Sequence, residues 1–337
     1  MTERHLSLPV TASAPGKLVL SGEYAVLDGA PAICMALDRR AHVSVRPGGD
    51  NHHTVTAPGF TDACGEFRAL DDELEWLAAG DEFSLLDAVW RAGNVIPPGT
   101  LSLLLDTNEF VDARQGVKIG IGSSAALATA LATALCDVAE AVADATRVAF
   151  AAHRRFQGGL GSGVDVACSS AGGLIEYRMG GASIEQLQWP DGLAYALLWS
   201  GVTASTGVRL ERLDAQTARP SRAALVCASR RMAAAWRGGA VSAILDEYRD
   251  YTKVLREFSA DHNLGIFDAG HAELMELAEA TGLVYKPCGA GGGDVGIILT
   301  DSEESIAAFA EQTLPQQFEF LNAKLDPHGV RVDRDEP

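Results

Sequence analysis

The chain of 337 residues carries 27 Lys and Arg against 45 Asp and Glu, a net charge of −18, with 47% apolar and 21% charged residues. This length favours two domains over one compact core, and the shortage of clustered cations excludes a nucleic-acid partner. No run reaches the roughly 18 uncharged apolar positions of a membrane-spanning helix, so no membrane partner is expected.

The opening MTERHLSLPV mixes acidic and basic residues and lacks the apolar core of a secretory signal, so a cytoplasmic location is expected. Residues 9–46 carry Val/Ile/Leu runs broken by PG, DG and AP, the pattern of β-hairpins. Residues 48–80 are polar and read as irregular, and 82–93 has apolar positions at helical spacing. TLSLLLDTN, after PPG, alternates as a strand does. A glycine loop then leads into a helix from Ser124 to about residue 142, and a second helix covers about 145–156.

A helical pattern over 164–170 gives way to strands in GGLIEYR and YALLWSG. Helices follow over about 219–238, 240–260 and 268–281, then a loop ending in a strand, LVYKPCGAGGGDVGIILT, a helix over about 302–313 and a strand in FEFLNAKL. The acidic tail DRDEP reads as frayed. The sum is an α+β chain with a boundary near 190–193, giving domains 1–192 and 193–337. Six cysteines without a CxxC pair (Cys34, Cys64, Cys136, Cys168, Cys227, Cys288) read as small hydrophobes, so no disulfide framework or structural metal is expected. His52 and His53 read as surface histidines in a polar loop.

Four segments could carry chemistry. In GIGSSAA, Gly120 to Ala126, glycines admit close backbone approach and Ser124 can cap the helix whose amides attract anions; the same residues also suit an ordinary capped helix. In GSGVDVA, Asp165 interrupts small and apolar residues, either as a partly buried anchor or base, or as a helix-start aspartate. In APGKLVLSGEYAVLDG, Lys17 is either a surface lysine or an inward, paired one. In KPCGAGGGDVGIIL, four glycines between strands cost backbone entropy, so something approaches that backbone closely.

In this order the segments resemble the GHMP kinase superfamily, whose members share a Pro-Gly-Lys motif, a central GxGSSAA phosphate loop and a C-terminal GAGGG loop. Tyr24 in GEYAVLDGAPAI, the segment GSGVDVACSSAGGLIEY, the segment WSGVTAST and Asp294 in GAGGGD resemble the phosphomevalonate kinase family within it. The resemblance implies a two-domain α+β fold, with a left-handed βαβ unit in the N-terminal domain and a ferredoxin-like C-terminal domain. It implies ATP and Mg²⁺ as cofactors, a small anionic phosphorylated substrate, and transfer of a phosphoryl group to 5-phosphomevalonate in the mevalonate route to isoprenoids. Gly120, Gly122, Ser123, Ser124 and Ala125 would wrap the ATP phosphates, with Ser124 touching the metal. Lys17 and Asp165 would be catalytic. Lys118, Ser162, Ser205, Gly289, Ala290 and Gly291 would meet the substrate.

A phosphate monoester has a second pKa near 6 and is mostly dianionic at neutral pH, so Asp165 is expected to orient Lys17 and the acceptor rather than to remove a proton. Arg154, Arg155 and Arg209 lie near the motifs in sequence and read as solvated surface charges. A mevalonate kinase, acting on the mevalonate hydroxyl, a related decarboxylase and a ligand sensor without turnover stay open as alternatives. So does the choice between monomer and homodimer.

Overall fold

The computed structural model describes residues 9–49, 51–70, 73–97, 99–139, 144–180, 183–204, 209, 212–213, 219–312, 314–315 and 318–334. The first two strands, β1 (Val10–Ser21) and β2 (Ala32–Pro47), form the expected antiparallel pair, with breaks in register at Pro15/Gly16 and Val19/Ser21. Gly16 sits at the first break because a Cβ there would lie 2.8 Å from the Ile121 carbonyl oxygen.

Around this pair grows a nine-stranded sheet. Its main path runs β13-β1-β2-β6-β3-β4-β5, with β3 (His53–Ala57), β4 (Thr61–Leu70), β5 (Glu73–Ala78), β6 (Leu101–Asp106) and β13 (Arg331–Arg334); β7 (Leu174–Arg178) also pairs with β2 and carries β8 (Ser183–Leu187). β3 and β6 run parallel, joined through β4, β5 and the helix α1 (Ser84–Gly93). A second, four-stranded antiparallel sheet has the order β10-β11-β9-β12, from β9 (Ala194–Trp199), β10 (Val284–Pro287), β11 (Val295–Thr300) and β12 (Glu319–Leu321). The helices α5 (Pro220–Gly238), α6 (Val241–Asp261) and α7 (His271–Ala280) lie between β9 and β10 in the chain, and α8 (Glu303–Ala310) between β11 and β12. That βαββαβ order, with the first strand central, is the ferredoxin-like arrangement.

Three helices stand behind the phosphate loop: α2 (Ser123–Val138), α3 (Ala145–Phe156) and α4 (Val164–Ala171). α2 packs on β1 and β2 and is flanked by α1, α3 and α4. Its run of Ala and Leu is buried on nearly every side, and the small alanines let five neighbours come close while favouring the helix itself.

The segment read as irregular, 48–80, is instead the ribbon β3-β4-β5. Its residues alternate: Val55, Phe67 and Leu74 are buried while their polar neighbours face water, so one apolar face hides in a polar composition. His53 is a core residue and not a surface one, stacked on Phe67 at 4.9 Å and accepting the Leu101 N–H at 3.0 Å. Of the tail read as frayed, Asp333 and Arg334 belong to β13 (Arg331–Arg334), which pairs with β1, while 335–337 lie outside the described residues.

A buried polar network joins the two sheets. Tyr248 on α6 donates to the Leu20 carbonyl at 3.1 Å, and Tyr251 donates to Glu23 at 2.6 Å while accepting the Gly22 N–H at 2.8 Å. Glu23 also forms an ion pair with Lys286 of β10, with side chains 2% and 0% exposed, and Lys286 donates further to the Pro287 carbonyl at 2.6 Å. Charges so far from water persist only in such company. Replacing Lys286 by Met leaves Glu23 without its counter-charge, so urea unfolding is expected to show a loss of about 3–5 kcal/mol. The double variant Glu23→Gln, Lys286→Met removes both charges and should recover part of that loss.

Candidate active site

The phosphate loop is set by two glycines in the left-handed region, Gly120 at φ 88° and Gly122 at φ 85°. Both are also required by space. A Cβ on Gly122 would lie 2.7 Å from Lys17 Cε, and one on Gly120 would lie 2.1 Å from Asp294 Cγ. The loop is tied to β1 where the Lys17 N–H donates to the Ile121 carbonyl at 2.8 Å. Gly122, not Ser124, is the N-cap of α2, and no side chain caps this end. The expectation that Ser124 caps the helix is corrected for that reason. The amides of Ser123, Ser124 and Ala125 open the helix with its dipole behind them, a ready site for phosphate oxygens. The Ala125 side chain is buried, so only its backbone can serve.

Lys17 is the paired lysine and not the surface one. Only 9% exposed, it places Nζ 3.3 Å from Asp165 Oδ1. Burial pulls its pKa down, but Asp165, with Cys34 and Asp294, outweighs this and leaves the ammonium above the ordinary lysine value. Asp165 is the second residue of α4, whose N-cap Gly163 has φ 85° and no room for a Cβ against the Phe150 ring. Val164 and Val166 are buried on either side and turn Asp165 toward Lys17. The Ser162 hydroxyl accepts the Val164 N–H at 3.3 Å, and its carbonyl accepts from Tyr177 at 2.8 Å, which fixes the turn into the helix.

The C-terminal loop comes over the top. Three of its four glycines are crowded by the protein itself: a Cβ would meet Ile266 at Gly291, the Arg209 guanidinium at Gly292 and the Val202 carbonyl at Gly293. Gly289 alone of the four faces open space, so the close approach expected from this cluster is mostly chain on chain. Arg209 is not a solvated surface charge; it donates to the carbonyls of Leu264 and Gly292, each at 3.2 Å. Arg154 and Arg155 are exposed, as expected. Tyr24 donates to the Ala290 carbonyl at 2.7 Å and so holds this loop to the end of β1.

Together these elements enclose a cavity of about 630 Å³. Lys17, Gly120, Gly122, Ser123, Ser124 and Asp165 form one wall, and Gly289, Ala290 and Asp294 another. Its far end is apolar, with Phe60, Phe83, Leu86 and Leu127. A smaller hollow of about 90 Å³, bordered by Glu23, Tyr24, Ser162 and Ala290, shares Lys17 and Asp165 with it. The pair thus stands between two spaces. Lys118 lies at the apolar end, its Nζ 4.7 Å above the Phe60 ring, while Gly291 packs on Ile266 and Ser205 lies outside the described residues.

One further residue at the site, His153 on α3, carries no signal of its own in the sequence. It is 2% exposed, with Nε2 3.1 Å from the Ser124 hydroxyl, and burial lowers its pKa despite the nearby Asp165. A neutral imidazole has one nitrogen able to accept the Ser124 hydroxyl proton, and Ser124 borders the cavity. A lone histidine in a helical stretch carries no spacing signal, and only the fold brings it to the phosphate loop.

Comparison with known proteins gives a consistent result. The family described as the GHMP kinases N terminal domain matches residues 105–173. A phosphomevalonate kinase of Streptomyces sp. (strain CL190) is 31% identical over an alignment covering 87% of this chain and 90% of the relative. A mevalonate kinase of Bos taurus is 26% identical, covering 87% and 86%. Among solved structures, Streptococcus pneumoniae phosphomevalonate kinase in complex with phosphomevalonate and AMPPNP superposes with a TM-score of 0.76 at 19% identity, covering 92% of this chain and 99% of that one.

Gly122→Ala tests the cavity geometry. The added methyl must displace the Lys17 stem and sits on left-handed backbone that costs about 1–2 kcal/mol. Turnover should fall at least tenfold, roughly the effect of a misplaced reacting group, with far-UV circular dichroism unchanged.

Proposed function

Since the chain belongs to the GHMP kinase superfamily and, within it, to the phosphomevalonate kinase family, we propose that it transfers the γ-phosphoryl group of ATP to 5-phosphomevalonate, giving ADP and 5-diphosphomevalonate. The observation that carries this reading is the Lys17–Asp165 pair, 3.3 Å apart, standing between a large cavity with an uncapped helix start and a second, smaller hollow. The large cavity suits the nucleotide, with its triphosphate against Gly120 to Ala125 and its base at the apolar end. The small hollow suits the acceptor, close to Ser162, Tyr24 and Ala290.

The chemistry follows from charge. An oxygen of the acceptor phosphate forms the new bond to the γ-phosphorus, the bond to the β-bridging oxygen breaks, and ADP carries away that electron pair. No proton has to leave the acceptor, because a phosphate monoester is mostly dianionic at neutral pH. What must be overcome is the repulsion of two polyanions on a chain of net charge −18. Lys17, kept protonated by Asp165, supplies the fixed positive charge at the transfer point. Asp165 holds that ammonium in place, and the helix-start amides take the phosphate oxygens.

Mg²⁺ belongs to the same reading. Among the described residues no group of three His, Cys, Asp or Glu side chains could hold a metal by itself. The Ser124 hydroxyl, which borders the cavity, fits an ion carried mainly by the phosphates, which is how Mg²⁺ is usually held. Bound there, the ion would neutralise phosphate charge. Six free cysteines suit a reducing compartment such as the cytoplasm. Among the described residues no helix is long and apolar enough to cross a membrane. The nucleotide-binding part is assigned to 1–192 and the closing part to 193–337, with β13 returning to the first sheet.

Lys17→Met is expected to abolish turnover. Asp165→Asn should lower kcat by at least about a hundredfold while leaving ATP binding nearly unchanged, because the carboxylate acts on the lysine and acceptor rather than on the nucleotide. ADP release with 5-phosphomevalonate, and none with mevalonate, is the expected acceptor pattern. Equal or faster release with mevalonate would assign the chain to the alcohol kinases instead.

A further inference from the structure

Asp294 has no part in the mechanism above, yet it reaches the phosphate loop. Its backbone is in the left-handed region at φ 56°, held by its N–H donating to the Val202 carbonyl at 2.7 Å and its carbonyl accepting the Ser200 N–H at 2.9 Å. Oδ1 accepts the Ala204 N–H at 2.9 Å. These three bonds press the carboxyl group against Gly120, where a Cβ would come within 2.1 Å of Cγ. Oδ2 has no hydrogen-bond partner among the described residues, and Asp294 borders the large cavity. A second carboxylate at the first glycine of an anion-binding loop works against the purpose of the loop, unless it can shed its charge.

We propose that Asp294 is a further phosphate-binding residue, whose carboxyl group takes up a proton as the nucleotide binds and donates it through Oδ2 to a phosphate oxygen. The inference rests on the phosphotransfer reading of the cavity. Burial raises the pKa of this group to about 6, against the opposing pull of the Ala204 N–H, Lys17 and Arg209. At pH 7 about one molecule in ten already carries the proton, where an ordinary aspartate would do so in fewer than about one in a thousand. The groups around it are Lys17 on β1, Arg209 on the C-terminal side and, beyond Lys17, Asp165 on α4; Glu82 and Lys118 border other parts of the cavity. A polyphosphate placed against Gly120 adds negative charge and drives protonation further. The proton comes from solvent and returns when the product leaves, and no substrate bond changes through it.

The test uses Asp294→Asn and Asp294→Ala in the full chain. Asparagine tolerates left-handed backbone, offers a permanent N–H donor and keeps an oxygen for Ala204. Calorimetric titration with AMPPNP and Mg²⁺ at pH 7, in buffers of different ionisation enthalpy, counts protons. The wild-type chain is expected to take up close to one proton more per nucleotide than Asp294→Asn, and equal counts would overturn the inference. In steady state Asp294→Asn should keep kcat/KM for ATP within about threefold of wild type and lose the fall in ATP affinity between pH 6 and pH 8, while Asp294→Ala should lose about tenfold. Asp294→Asn as impaired as Asp294→Ala would also overturn it, since the negative charge itself would then be needed, as for a cation ligand. The proton count uses nucleotide alone, so failure to phosphorylate 5-phosphomevalonate would sink the proposed reaction without deciding this point.

Discussion

An ammonium group held nearly out of water needs a carboxylate beside it, and the position of Lys17 constrains much of the molecule. β1 must deliver the lysine inward, which its register breaks at Pro15/Gly16 and Val19/Ser21 arrange. α4 must begin at Gly163 so that its second residue, Asp165, lies 3.3 Å from Nζ. Gly122 must lack a side chain so that the lysine stem can pass beneath the phosphate loop. Three segments far apart in the chain are therefore fixed by one charge pair. Any anion drawn to the uncapped start of α2 meets that pair as its neighbour.

The acidic surface makes this local arrangement matter more. With 45 carboxylates against 27 cations, the mean field repels a polyanion, and the site works only through short-range, partly desolvated contacts. Oriented amides and a nearly buried ammonium have that character. Their effect is little screened, whereas the repulsion of the distant surface fades over about 8–10 Å of salt solution.

Sequence reading recovered what is local or carried by special backbone. The helix over 145–156 is α3, and the apolar periodicity over 240–260 is α6, because 3.6-residue spacing survives whatever the helix packs on. Lys17, Gly120, Gly122, Ser124 and Asp165 were legible together, through the resemblance of their collinear segments to one family, while each segment alone also suited an ordinary structural role. The ribbon β3-β4-β5 was missed because its buried residues, such as Val55 and Phe67, are single apolar positions between polar ones. Arg209 and His153 were misread or passed over for another reason: their partners, Gly292 and Ser124, lie 83 and 29 positions away. The burial of Lys286 was invisible for the same reason, since Glu23 is 263 positions distant. What stayed hidden is what only long-range closure decides.

The return of β13 to β1 carries a consequence for how the protein is made. Val10–Ser13, on the strand that bears Lys17, is bonded along one edge by Arg331–Arg334. On the ribosome that edge stays bare until Arg331–Arg334 has been made, while the N-terminal half is already able to collapse. An unpaired strand margin is an invitation to neighbouring chains. The nascent polypeptide therefore passes through a sticky interval that lasts until β13 is released, and chaperone demand should concentrate there.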